Sequence, residues 1–79
     1  MNKLILYSTS ACHLCEQAKA LLEPMLGAEW QLEELDISES DELIERYGIR
    51  IPVLLRVADN GELGWPFDQQ QIAVFLQIS

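Results

Sequence analysis

The stretch Tyr7-Ser8-Thr9-Ser10-Ala11-Cys12-His13-Leu14-Cys15 decides how this 79-residue chain is read. It holds both cysteines, two residues apart. The apolar run Lys3 to Tyr7 (KLILY) leads in and reads as a buried central strand. A helical pattern leads out. Ser8, Thr9 and Ser10 break the strand and supply side chains able to cap a following helix. A Cys-x-x-Cys pair at such a junction is a sign of thiol–disulfide chemistry. The thiolate is the nucleophile, and the unpaired N–H groups and dipole of a helix N-terminus stabilise that anion.

Downstream of Cys12, residues Leu14, Ala18, Leu21, Leu22 and Met25 fall on one helical face. Pro24 is expected to kink or end this helix, and Gly27 to terminate it. Trp30 to Ile37 (WQLEELDI) reads as a second strand. Its alternation slips at Glu33 and Glu34, so a bulge or a partly exposed strand is expected. Ser38-Glu39-Ser40-Asp41 resembles a helix start, with acids where the dipole favours them. Leu43, Ile44 and Tyr47 give that helix its apolar face, and Gly48 ends it. Ile51 to Val57 is the third strand, with Pro52 near its start. Asn60-Gly61 is a hairpin signal, and Glu62 to Trp65 the returning strand. Asp68 and Gln71 form a capping box for the last helix, with Phe67 and Ile72 as its hydrophobic staple. Ile72, Phe75, Leu76 and Ser79 follow at helical spacing.

The order is β-α-β-α-β-β-α in one domain spanning residues 1–79. The fold class is α/β, a mixed four-stranded sheet flanked by helices. The first two strands should be parallel with a right-handed crossover, and the last two antiparallel.

Composition narrows the function classes. Five Lys plus Arg stand against thirteen Asp plus Glu, a net charge of −8. Nucleic-acid binding needs clustered cations, so it is not expected. Adhesion to anionic membranes is disfavoured for the same reason. No segment is long enough to span a bilayer, and the N-terminal apolar run is too short for a signal-peptide core. A monomer in the reducing cytoplasm is the expectation, where two cysteines serve catalysis or metal binding.

The element order, the Cys12-His13-Leu14-Cys15 pair and the Ile51-Pro52 step together resemble the thioredoxin fold. The length and the lead-in Leu6-Tyr7-Ser8 resemble glutaredoxins. Arg50-Ile51-Pro52-Val53-Leu54 and Trp65-Pro66-Phe67-Asp68 narrow this to a small bacterial glutaredoxin-like family. The resemblance implies a thiol–disulfide oxidoreductase serving cell redox homeostasis. In it Cys12 is the exposed nucleophile and Cys15 the resolving thiol. It also implies a cis peptide bond at Pro52, beside the cysteines, with the Ile51 backbone pairing to a bound peptide or glutathione. From the residues alone, Pro52 reads equally as a trans proline at a strand start.

Other residues have two readings each. His13 either stabilises the Cys12 thiolate or lies exposed in solvent with a modest effect. Trp65 packs the core or stacks on substrate, with packing favoured. The acids Glu33, Glu34, Asp36, Glu39, Asp41 and Glu42 read as a solvated face.

The chain departs from the glutaredoxin pattern at Thr9, where a cation is usual, and at Gly64-Trp65, where Gly-Gly is usual. Asp68 is the candidate for the glutathione amino group. Arg50 is the candidate cation for its carboxylates, with Arg46 second. No tightly bound cofactor or metal is expected, and glutathione is a candidate co-substrate. The partner is a disulfide-bearing protein or glutathione. Electrons would come from glutathione, thioredoxin reductase or another carrier. Two alternatives stand beside this: a metal or iron–sulfur module, and a non-catalytic adaptor with the same fold. The first needs more ligands than Cys12, Cys15 and His13 supply.

Overall fold

The computed structural model describes residues 2–76. The elements follow the expected order: β1 (Asn2–Ser8), α1 (His13–Leu26), β2 (Trp30–Asp36), α2 (Asp41–Tyr47), β3 (Val53–Arg56), β4 (Gly61–Gly64) and α3 (Gln69–Leu76). A single 3₁₀ turn, Ile37–Glu39, precedes α2. The strands form one sheet in the order β2-β1-β3-β4. β1 and β2 are parallel, and the β1/β3 and β3/β4 pairs are antiparallel. This is a thioredoxin-like fold.

β1 is apolar from Leu4 to Tyr7 because both its faces are covered there. Leu4 and Leu6 point to one layer, packed with Ala18, Leu22 and Leu26 of α1, Leu54 of β3, and Phe67 and Ile72 at α3. Ile5 and Tyr7 point to the other, against Ile37, Tyr47 and Val53. Burial of apolar surface at roughly 25 cal/mol per Å² is the main force holding the layers to the sheet.

The same two-sided packing decides between the two readings of β2, a bulge or a partly exposed strand, in favour of the partly exposed strand. No bulge is present: seven residues of β2 pair one to one with β1, from Asn2 with Trp30 to Ser8 with Asp36. Trp30 and Leu32 pack on the α1/α3 layer, whereas Leu35 packs on the opposite layer. The apolar positions change face midway, and the alternation breaks where they change.

The passage of α1 through Pro24, the buried stripe of α1 and the start of β3 also differ from expectation. α1 runs through Pro24 to Leu26 and ends at Gly27, whose φ of +60° lies in the left-handed region. Pro24 removes one hydrogen bond late in the helix, on its exposed side, while buried Leu22 and Leu26 hold the last turn against the core. Leu14 is exposed, and the buried stripe of α1 is Cys15, Ala18, Leu22 and Leu26. β3 begins at Val53, after Pro52. The Ser79 position lies outside the described residues.

The expected capping box is present. The Gln71 N–H donates to Asp68 Oδ1 at 2.8 Å, and the Asp68 N–H donates to Gln71 Oε1 at 3.0 Å. Phe67 and Ile72 are both buried in the same core layer.

The β3–β4 hairpin is closed by a charge pair. Arg56 Nε and Nη2 donate to the two oxygens of Asp59 at 2.8 and 2.7 Å, and the Gly61 N–H donates to Asp59 Oδ1 at 3.1 Å. A side chain at Gly61 would meet the Arg56 guanidinium at 2.8 Å. The Arg56 bond is the main cause that holds the Asp59 carboxyl down at about 2. A depressed carboxylate contributes stability above its unfolded pKa and loses it as pH falls through the folded value. Urea midpoints taken from pH 5 down to pH 2 should therefore fall further in the wild type than in Asp59→Asn, with the two curves converging at the acid end.

Candidate active site

Cys12 is the N-cap of α1, with extended backbone angles (φ −101°, ψ 107°). Ala11, immediately before it, takes a left-handed φ of 58°, which turns the chain sharply from β1 into the helix. The Cys15 N–H donates to Cys12 Sγ at 3.1 Å. The two cysteines are joined as a disulfide with Cα atoms 5.2 Å apart. The burial of the pair is unequal: Cys15 is 2% exposed, while Cys12 is only half-buried. The accessible sulfur is therefore the one at the helix N-terminus, and the sheltered sulfur lies one turn behind it.

His13 opens α1 and is exposed. The cis Ile51–Pro52 bond lies just before β3. Tyr7 pairs with Val53, so the loop after β1 and the loop before β3 leave the same end of the sheet from adjacent strands. Pro52 is buried, and its carbonyl accepts from the Trp65 N–H at 3.1 Å. The Ile51 N–H is taken by the Tyr47 carbonyl at 3.1 Å.

Arg50 is held beside Glu62 and Tyr47. Its Nη2 lies 3.3 Å from Glu62 Oε1, and its guanidinium lies 5.6 Å from the Tyr47 ring centroid. Tyr47 donates its hydroxyl to Glu62 Oε2 at 2.6 Å. Burial and then that carboxylate push the phenol up to about 12, so it stays protonated as a donor. Tyr47 also stacks on Tyr7, with ring centroids 4.3 Å apart. Trp65 is half-buried against the α1/α3 core and meets Phe67 edge to face at 5.1 Å. It packs, as expected.

A cleft of about 490 Å³ opens beside the cysteines. Thr9, Ser10 and Ala11 form one end, with Glu16, Lys19 and Glu23 along α1 and Glu34 across from them on β2. Neither Arg50, Ile51, Pro52 nor Asp68 lines it. Glu34 is engaged twice: it accepts from Ser8 Oγ at 3.0 Å and from Lys19 Nζ at 3.2 Å. The acids of β2 are thus more than a solvated face. Glu33 pairs with Lys3 at 2.8 Å, and Asp36 accepts from the Ser38 N–H and hydroxyl. The Ser38 bonds hold the Asp36 carboxyl below its usual range.

The cleft residues escaped the sequence reading because their contacts join separate elements. The available signal was the spacing Glu16, Lys19, Glu23, which repeats along the helix that Cys12 caps. Among the described residues, no three His, Cys, Asp or Glu side chains form a group able to hold a metal ion. No described helix is long and apolar enough to cross a membrane.

Residues 3–77 match the model of the family described as Glutaredoxin-like domain (DUF836). The chain belongs to that family. Two solved structures place this glutaredoxin-like domain among bacterial relatives. The X-ray structure of protein XcR50 from X. campestris is 33% identical, with a TM-score of 0.84 over 96% of this chain and 97% of that one. The solution structure of Ne2328 from Nitrosomonas europaea is 32% identical, with a TM-score of 0.81 over 96% and 92% of the two chains. Curated proteins give no match.

Asp68 of this glutaredoxin-like domain has a structural duty, and the two roles separate by substitution. Asp68→Ala should cost about 1 kcal/mol through loss of the N-cap, whereas Asp68→Asn should cost little, since Asn caps as well as Asp. Thermal melts of both variants check this. A role in glutathione binding would show instead as a loss common to Asn and Ala in a binding titration.

Proposed function

We propose that this chain is a dithiol–disulfide oxidoreductase in which Cys12 is the nucleophile and Cys15 the resolving thiol. The observation that carries the reading is the Cys12–Cys15 disulfide capping α1, with Cys12 accessible and Cys15 buried. In the reduced protein, the Cys15 N–H and the N-terminal end of α1 favour a thiolate at Cys12. That thiolate attacks a substrate disulfide and forms a mixed disulfide. Cys15 lies one helical turn away, close enough to attack Cys12 Sγ and release the second substrate thiol. His13, at the same helix end, tunes the thiolate. A disulfide-bearing protein or glutathione is the substrate, and a cytoplasmic setting would keep the cycle supplied with reductant.

The test is equilibration in graded reduced/oxidised glutathione buffers, read by intact mass. A midpoint between roughly −180 and −270 mV is expected, the range of catalytic thiol carriers. A glutathione adduct on Cys12 in Cys15→Ser would identify glutathione as a substrate. A wild-type protein that stays reduced throughout, or that carries metal, would reject the oxidoreductase reading in favour of the adaptor or metal module.

A further inference from the structure

The two edges of the sheet are guarded differently. The order β2-β1-β3-β4 leaves β2 and β4 each with one unpaired side. β2 carries Glu33, Glu34 and Asp36, and charged side chains on an edge strand oppose pairing with another chain. β4 carries one charge, Glu62, and Tyr47 and Arg50 hold that carboxylate. The Trp65 N–H points inward, to the Pro52 carbonyl. Backbone direction alternates along an antiparallel strand, so Leu63, two residues earlier, also turns its N–H and C=O toward β3. Glu62 and Gly64 turn theirs to the open edge, placed evenly about Leu63.

The helix beside that edge is uncharged. α3 (Gln69–Leu76) holds no Asp, Glu, Lys or Arg, in a chain of net charge −8. Between α3 and β4 lies an apolar groove of about 340 Å³, lined by Leu63, Gln70, Gln71, Val74 and Phe75. Val74 is 63% exposed there. Arg56 holds the groove in shape. It is paired with Asp59 of the hairpin, donates to the Phe75 carbonyl, and lies 4.5 Å from the centroid of the Phe75 ring.

We propose that a second copy of this chain docks on this face, by antiparallel pairing of β4 with its symmetry mate about Leu63. Register and charge name the occupant. A two-fold axis through Leu63 sets Glu62 opposite Gly64 of the other copy. These are the residues with outward backbone groups, so each pair can exchange both its N–H···O=C bonds. No atom lies within 4 Å of where a Cβ on Gly64 would stand, which leaves room beside Glu62. A register centred on Glu62 would instead set two carboxylates directly opposite each other, which is destabilising. In the Leu63 register the two Leu63 side chains meet on the face that α3 covers, and the two grooves join over them. Chains of net charge −8 repel each other, and they do so least through a face without charge. The dimer leaves Cys12 accessible, since β3 stands between β1 and the paired edge.

Sedimentation equilibrium of the purified chain tests this, over roughly 10 µM to 1 mM, where small interfaces dissociate. The weight-average mass should rise from that of one chain toward that of two, and no further. Salt should raise the dimer fraction, because it screens the repulsion between whole chains while the docked faces are uncharged. Val74→Glu puts a charge in the groove and should hold the chain monomeric. Ile44→Glu adds the same charge at a 44% exposed position on α2, on the opposite face of the sheet, and should leave most of the association. Amide exchange read by NMR locates the contact in the wild type: the Glu62 and Gly64 amides should slow severalfold as concentration rises. A chain that stays monomeric throughout overturns the proposal and leaves the face to a different partner. Association that both variants weaken equally, that leaves the Glu62 and Gly64 amides unchanged, or that grows past two chains also overturns it.

Discussion

Cys12→Ser is expected to reduce disulfide exchange to the uncatalysed background, a loss of roughly three orders of magnitude or more. A serine hydroxyl has no accessible anion near neutral pH, and the one thiol left in this variant is Cys15, since the sequence holds two cysteines. Cys15 cannot substitute, because it is 2% exposed and its partner is the sulfur that meets solvent. Cys15→Ser should behave differently. It retains the first half of the reaction and stalls there, so turnover falls while a mixed disulfide accumulates on Cys12. Intact mass after incubation with a disulfide distinguishes the two: an adduct for Cys15→Ser and none for Cys12→Ser. Equal adduct formation in both variants would reverse or dissolve the assignment of roles.

Leu6→Ala carries the largest expected cost to folding. Leu6 is fully buried in β1, next to the sheet's centre, and pairs across to Leu54 on β3. Both belong to the layer that α1 and α3 cover. Truncating such a leucine costs about 2–5 kcal/mol, from lost transfer energy and the cavity left behind. A domain of this length is expected to have only about 4–12 kcal/mol in total. Each kcal/mol corresponds to about 4–8 °C at this size, so Tm should fall on the order of 15 °C. Val74→Ala, at a position 63% exposed, should stay within about 0.5 kcal/mol and serves as the control. Melts of the oxidised proteins, recorded in parallel, check the difference.

The element order was readable in the sequence because each element carries its own local signal. Leu4 to Tyr7 is a continuous apolar run, Asn60-Gly61 marks the hairpin, and Asp68 with Gln71 marks α3. The cysteine pair was readable for the same reason, since its meaning depends on the helix it opens. What sequence reasoning missed is relational. The slip in β2 left a bulge and a partly exposed strand both open because alternation assumes a single buried face, whereas β2 packs opposite faces at its two ends and is partly exposed along its length. Leu14 looked like core because helical spacing gives a stripe but not its edges. The acidic cleft needed the β1/β2 register, which brings Glu34 within reach of both Ser8 and Lys19. Arg50 read as a free cation until Glu62, across the hairpin, was placed beside it.

The two-sided burial of β1 has a consequence for how the chain finds its pairing. In a sheet with one wet face, a one-residue slip exposes the core and is rejected by water. Here a slip would exchange Leu4 and Leu6 for Ile5 and Tyr7, one oily set for another. Hydrophobicity barely distinguishes the two alignments. Shape and polarity at the strand's end do. Tyr7 stacks on the ring of Tyr47, Leu4 and Leu6 fit among Ala18, Leu22, Phe67 and Ile72, and the buried Ser8 hydroxyl meets Glu34. Fidelity of alignment in this domain is therefore written in its aromatic pair and one serine, immediately before the loop that delivers Cys12.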